Sequence, residues 1–342
     1  MSTPAWRERL RYIPSAIWVL GFVSMLMDIS SEMIHALLPI YLVTVLGTSV
    51  ATVGLIEGIA ESTASIVKIF SGALSDWIGK RKLLAALGYG LSALTKTIFP
   101  FASTVDWLVA ARFIDRVGKG IRDAPRDALV ADLAPEHVRG ASFGLRQSLD
   151  TIGAVIGPAL AMGLMWLTAN HFQTVFWVAV LPAFLCVALL LLAVPEPVRP
   201  KRMSAVRFPL HVAELKRFGA PFWRVVAVAT IFTLARFSEA FLILRAQQIG
   251  LPIALAPLVL VVMNVVYALA AYPAGALSDR FDRRSILMIG FLLLIAADAV
   301  LALTSGLEGA ALGTILWGLH MGFTQGSLAT LVADTAPADL RG

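Results

Sequence analysis

The stretch GALSDWIGKRK, Gly72 to Lys82, returns as GALSDRFDRRS, Gly275 to Ser285, and each copy lies between long apolar runs. A second pair, ADLAPEHVRG from Ala131 to Gly140 and ADTAPADLRG from Ala333 to Gly342, keeps nearly the same offset. Two repeats in step across most of a chain mean that one structural plan is used twice. The chain is therefore expected to fold as two related halves.

The solvent for those halves is lipid. Hydrophobic residues make up 58% of the chain, charged residues 15%, and the mean hydropathy is +0.81. That excludes a soluble globular domain. Crossing a bilayer takes about twenty apolar residues. Suitable runs lie at 15–46, 51–75, 83–103, 106–131, 141–167, 173–195, 221–246, 252–278, 285–304 and 309–332. The predicted fold is an all-α polytopic membrane protein with ten helices. Residues 1–195 form an N-terminal six-helix bundle, 196–219 a charged connector, and 220–342 a second bundle holding segments seven to ten. In the first copy Gly140 leads straight into segment five, whereas Gly342 is the last residue of the second. The expectation is a twelve-helix plan cut short after segment ten. Paired bundles that rock about a site at mid-membrane are the architecture of secondary transporters, and the repeat predicts that class.

A net charge of +6 in a soluble chain would suggest a nucleic-acid partner, but here the placement of charge explains it. Arg7, Arg9 and Arg11 precede segment one, Lys80, Arg81 and Lys82 follow segment two, Arg139 follows segment four, and Arg280, Arg283 and Arg284 follow segment eight. The connector adds Arg199, Lys201, Arg202, Arg207, Lys216 and Arg217. The opposite loops, 47–50, 104–106, 168–172, 247–251 and 305–308, hold no Lys or Arg. Basic loops stay in the cytoplasm. The N-terminus, connector and C-terminus are thus predicted on the cytoplasmic side of the inner, or plasma, membrane, with lipid rather than nucleic acid as the surrounding partner. The first segment is too long for a signal-peptide core and is read as a retained span. Cys186 is the only cysteine, which leaves no disulfide framework and no thiolate metal site; neither metal nor cofactor is expected. No phosphate-binding loop and no nucleophile with its base stand out, so an enzyme is not predicted.

The loop motif carries a family resemblance. Gly72, Asp76, Gly79, Lys80 and Arg81, with Lys82 after them, resemble the signature of the major facilitator superfamily, and the similarity covers essentially the whole chain. Gly72 permits close helix approach, Gly79 a tight turn, and Asp76 can face a positive helix N-terminus. The second copy keeps Gly275, Asp279 and Arg283 but has Asp282 in the glycine's place, which predicts a looser turn. Segment five carries Gly144, Gly153, Gly157 and Pro158, similar to the family's antiporter pattern, although Ala161 and Met162 stand where two further glycines usually follow. The resemblance implies a monomeric transporter of a small molecule, like the drug/proton antiporters, working by alternating access. It also implies that Asp76 meets the start of segment eleven and Asp279 the start of segment five when the inner side closes. Only the second contact has both partners in this sequence.

Ionisable groups at membrane depth are costly and usually face a partner or a wet cavity. Asp28, Glu32 and His35, four and three residues apart, share one face of segment one, with Pro39 beyond them to bend it. Segment two adds Glu57, Glu61 and Lys68; segment four adds Arg112, Asp115, Arg116, Lys119, Arg122, Asp123, Arg126 and Asp127; segment five adds Arg146 and Asp150. With Lys96, the acids and bases named here in segments one to four balance at seven each, so a network of ion pairs is feasible. The residues assigned to proton coupling are Asp28, Glu32, Arg112, Glu61, Asp115 and Arg116; the resemblance makes Arg112 the family's helix-four arginine. The assigned substrate contacts are His35, Arg236, Glu239, Asn264, Tyr267, Trp317, His320 and Gln325, polar and aromatic groups suited to an organic molecule. The leading reading is proton-coupled efflux of a small organic solute. Uptake of an anionic metabolite through the arginines, transition-metal efflux and a non-transporting remnant or sensor are the alternatives.

Overall fold

The computed structural model describes residues 12–197, 219–278 and 282–335. They form the helices α1 (Ser15–His35), α2 (Val50–Ile78), α3 (Arg81–Lys96), α4 (Val105–Leu133), α5 (Arg139–Leu167), α6 (Phe172–Ala193), α7 (Ala220–Ala235), α8 (Glu239–Gln248), α9 (Leu258–Ser278), α10 (Arg283–Leu303) and α11 (Leu307–Thr335), joined by short turns and with no strand among the described residues. Among the described residues, eight helical stretches are long and apolar enough to cross a membrane. Two of the ten predicted segments miss that measure. Charge accounts for α4, while glycines together with Trp317 and His320 dilute α11.

The chain divides into two compact units, Met1–Pro209 and Leu210–Gly342. The connector residues 198–218, with most of its basic side chains, lie outside the described residues, as do Asp279, Arg280 and the repeat's end at 336–342. In the first unit α1 packs on α5 and α6, while α2 and α3 both pack on α4. In the second, α9 and α10 both pack on α11, and α7 leans on α11 as well. The repeated sequence thus gives a repeated packing pattern.

Small residues set the helix spacing in the first unit. A Cβ on Gly118 would stand 2.6 Å from Ser92 Oγ and 2.9 Å from the Gly88 carbonyl on α3. One on Gly120 would stand 2.7 Å from the Ala64 carbonyl on α2. Helix α4 is therefore held backbone to backbone on both sides, the approach that small residues allow in lipid. The apolar core below it gathers Ile17, Leu20, Met27, Tyr89, Leu129 and Cys186.

The loop signature behaves as its residue types dictate. Gly79 ends α2 in the left-handed region, with φ of 72°, where glycine carries no Cβ penalty. Gly72 lies against α4, its hypothetical Cβ 3.3 Å from that of Ala124. Arg81 then closes the turn, its Nη2 donating to Asp76 Oδ1 at 2.8 Å and its Nη1 to the Ala128 carbonyl at 2.7 Å, with Asp132 Oδ1 at 2.9 Å. Lys80 is the N-cap of α3. Gly275 lies in the last turns of α9 and Arg283 opens α10.

Two expected helices differ from the prediction. Segment one does not run unbroken to 46: α1 stops at His35, a short turn Leu38–Ile40 carries Pro39, and a wide π turn spans Tyr41–Val45. Proline removes a helix hydrogen bond, and the π turn absorbs the offset. Segment seven is two helices. The backbone leaves the helical region at Arg236, and Ser238 starts α8 as its N-cap, its Oγ accepting from the Ala240 amide at 3.3 Å. A serine hydroxyl offers the backbone an alternative to continuing the helix, and Glu239 then sits in the first turn, where the helix dipole favours an acid.

Candidate functional site

The ionisable side chains of the first unit converge on α4. Arg112 Nη2 donates to Glu57 Oε2 of α2 at 2.7 Å, with both side chains 2% exposed. One turn further along both helices, Arg116 Nη1 donates to Glu61 Oε1 at 3.1 Å, and here the acid is 55% exposed. Both contacts span the same 55 residues. A constant offset requires α2 and α4 to run parallel and to advance one turn together. The pattern E-x-x-x-E facing R-x-x-x-R builds a two-rung ladder, sealed at one rung and open at the other.

Asp115 makes the second knot. Its Oδ1 accepts from Lys96 Nζ of α3 at 2.9 Å and its Oδ2 from Arg116 Nη2 at 3.1 Å. Lys96 and Asp115 are both 1% exposed. Away from water, ions survive only when their hydrogen-bonding capacity is met by opposite charge. Lys96 and Glu57 were not among the predicted site residues, and each proves to be the partner of one that was.

Helix α1 brings its acids to the same region. His35 Nδ1 lies 3.5 Å from Glu32 Oε2, and His35 Nε2 lies 3.7 Å from Glu57 Oε2, the oxygen that Arg112 holds. Placed from sequence among substrate contacts, His35 thus stands inside the ion network. Asp28 and Glu32 are half-buried, and Asp28 has no counter-ion within salt-bridge distance among the described residues. Arg112, assigned to proton coupling with Asp28 and Glu32, has Glu57 as its direct partner.

The glycines of α5 explain how those acids are seated. A Cβ on Gly153 would fall 2.6 Å from the Met25 carbonyl and 3.0 Å from Asp28 Cβ; one on Gly157 would fall 2.8 Å from both Glu32 Cβ and the Ile29 carbonyl. Pro158 is buried beside them. Gly153 and Gly157 thus form the surface on which Asp28 and Glu32 of α1 rest, while Gly144 makes no such contact. On α5 itself Arg146 Nη1 donates to Asp150 Oδ2 at 3.3 Å.

In the second unit the predicted contacts are less open. Trp317 and His320 are fully buried, and His320 stacks on Phe232 with ring centroids 5.5 Å apart and holds the Gly290 carbonyl through Nδ1 at 2.8 Å. Phe237 packs on Trp317 at 4.3 Å. Both residues are packing members of this unit, held shut by aromatic contacts. Asn264 is buried, Tyr267, Arg236 and Glu239 are half-buried, and Gln325 is exposed. A recess of about 430 Å³ lies beside them, lined by Phe237, Phe241, Arg245, Asp298 and Leu301 among others. In the first unit α6 covers α1 and the turn after it, where Ser30 Oγ donates to the Ala179 carbonyl and Tyr41 packs on Phe172 and Phe176.

Relatives place this arrangement. Residues 20–342 match the sequence profile of the Major Facilitator Superfamily. An uncharacterised MFS-type transporter of Methanocaldococcus jannaschii is 32% identical over 98% of this chain and 84% of its own length. The multidrug resistance protein MdtH of Edwardsiella ictaluri is 27% identical over 96% of the chain and 79% of its own. Among solved structures, a bacterial homologue of the human lysosomal transporter Spinster superposes with a TM-score of 0.72 at 19% identity, covering 100% of this chain and 77% of that one. With the duplicated loop motif, the all-helical units and a match of this extent, the chain is a multi-pass membrane transporter, not an enzyme, and it belongs to the major facilitator superfamily.

Proposed function

We propose that this transporter exports a small organic solute across the inner (plasma) membrane by alternating access, driven by inward proton flow. The observation that carries this reading is the half-buried acids Asp28 and Glu32 on one face of α1, with Glu32 linked through His35 to the sealed Glu57–Arg112 pair. Acids within reach of water can take up a proton, and a cation held among them can answer that change by repartnering. The similarity to a protein named for multidrug resistance supports the export direction and an organic solute. The proposed proton-coupling set remains Asp28, Glu32, Arg112, Glu61, Asp115 and Arg116, with Glu57 added as the direct partner of Arg112. Arg236, Glu239, Asn264, Tyr267 and Gln325 are the proposed solute contacts. Trp317 and His320 join them only in a state where the aromatic packing opens. The transporter acts as a monomer with its N-terminus in the cytoplasm.

Uptake of an anion through the arginines has less behind it. Arg112, Arg116 and Arg126 each already hold a carboxylate. Among the described residues no three His, Cys, Asp or Glu side chains gather closely enough for a metal ion.

The test is a growth-inhibition screen in a drug-sensitive bacterial host overexpressing the protein, with fluoroquinolones and ethidium as probes. Resistance that disappears in both Asp28→Asn and Arg112→Ala, at equal membrane levels of protein, is the expected result. Resistance unchanged by either substitution removes the coupling assignment, and no resistance to any probe removes multidrug efflux.

A further inference from the structure

His35 is placed where charge and flexibility meet. It is the last residue of α1, immediately before the Pro39 turn and the π turn Tyr41–Val45. Its ring lies between carboxylates on two helices, Glu32 on α1 at 3.5 Å and Glu57 on α2 at 3.7 Å. Exposure falls along this line from 23% at Glu32 through 13% at His35 to 2% at Glu57. At the inner end two polar atoms have no hydrogen-bond partner, His35 Nε2 and Glu57 Oε1. Glu57 Oε2 meanwhile already accepts from Arg112.

From this geometry we propose that His35 is a proton-operated clasp: when its ring is charged it ties the end of α1 to Glu57 of α2 and loosens that acid's hold on Arg112. The chemistry follows from the imidazole. A neutral ring carries one N–H and can satisfy only one of its two acids; a charged ring donates from both nitrogens and satisfies both. Charging the ring therefore adds a link between the end of α1, just before its break, and α2. Glu57 then shares its charge between two cations, and the Arg112 contact weakens. A proton arriving from water at Glu32 passes to Nδ1, and the proton on Nε2 can leave to Glu57, so the ring is also a path between the exposed acid and the sealed pair.

The other groups around the ring do not supply this link. On α2 the next ionisable residue is Glu61, engaged by Arg116; on α4 they are Arg112 and, further along, Arg116 and Lys119. Helix α5 offers Gly157 at this level, its own pair Arg146–Asp150 lying closer to its start, and Cys186 is the only ionisable residue of α6.

The clasp is tested without any solute by hydrogen–deuterium exchange on the full chain in lipid nanodiscs. After correction for intrinsic rates, amides 36–46 of the wild type should exchange about fivefold more slowly at pH 5.5 than at pH 8. His35→Gln and Glu57→Gln should each abolish that difference, while amides of α6 stay unchanged and report that the fold is intact. Protection that is independent of pH in the wild type, or that persists in His35→Gln, overturns the proposal. Its part in transport rests on the proton-coupled reading and is judged separately in proteoliposomes with ethidium as probe. If the turn responds to pH in the expected way but a pH gradient does not drive ethidium movement, the coupling reading fails and the clasp stands. If the gradient drives movement equally in wild type and His35→Gln, the clasp has no part in coupling.

Discussion

Buried side chains in the first unit are matched to named counter-charges, and removing one leaves its partner short of a contact. Arg112→Ala leaves Glu57 charged and buried, and such a loss typically destabilises by about 3–5 kcal/mol. The double replacement Arg112→Met with Glu57→Met removes both charges and keeps the volume. It should recover most of that loss, read as the thermal unfolding midpoint of detergent-solubilised protein. Lys96→Met should behave like Arg112→Ala, and Asp115→Asn should rescue it only in part, because Arg116 also leans on Asp115. If Lys96→Met unfolds at the wild-type temperature, the pair is not a structural pin. Neither Lys96 nor Glu57 could be matched to its partner from sequence. Nothing in the chain announces that position 96 meets 115, since the contact depends on how α3 turns its faces toward α4.

At the level of helices, the contacts between α1 and α5 are set by Gly153 and Gly157, which leave no room for a side chain between the two backbones. Gly153→Leu should force the helices apart and destabilise the protein by about 1–3 kcal/mol or more. Gly144→Leu on the same helix should be tolerated, since a Cβ there meets nothing within 4 Å. Equal melting of the two variants would contradict the seating of α1 on this stripe. The breaks at His35 and at Arg236 were harder to foresee. Pro39 signalled a bend in the first, but segment seven contains no proline near its break, only a serine whose hydroxyl caps the following helix. An apolar run long enough to span lipid reads as one helix until the cap is seen in three dimensions.

For the molecule as a whole, the charge asymmetry of the loops predicts orientation. A reporter enzyme active only in the cytoplasm should work when fused after Lys82 and fail when fused at 168–171; the reverse pattern would invert the proposed topology. The duplication, the all-helical class and the family were legible in the chain, because lipid demands long apolar runs and the loop glycines, aspartate and basic residues each answer a local need. These signals are short in range and survive translation into letters. The matched spacing of Glu57 with Glu61 and of Arg112 with Arg116 was legible too, but only as two separate helix faces. That they meet rung by rung, that His35 sits between two acids, and that Trp317 and His320 are packed shut was decided by tertiary structure. A helix fixes which of its residues share a face; the rotation and depth at which two helices dock come from small residues distributed over several of them at once, and that sum is available only in the folded molecule.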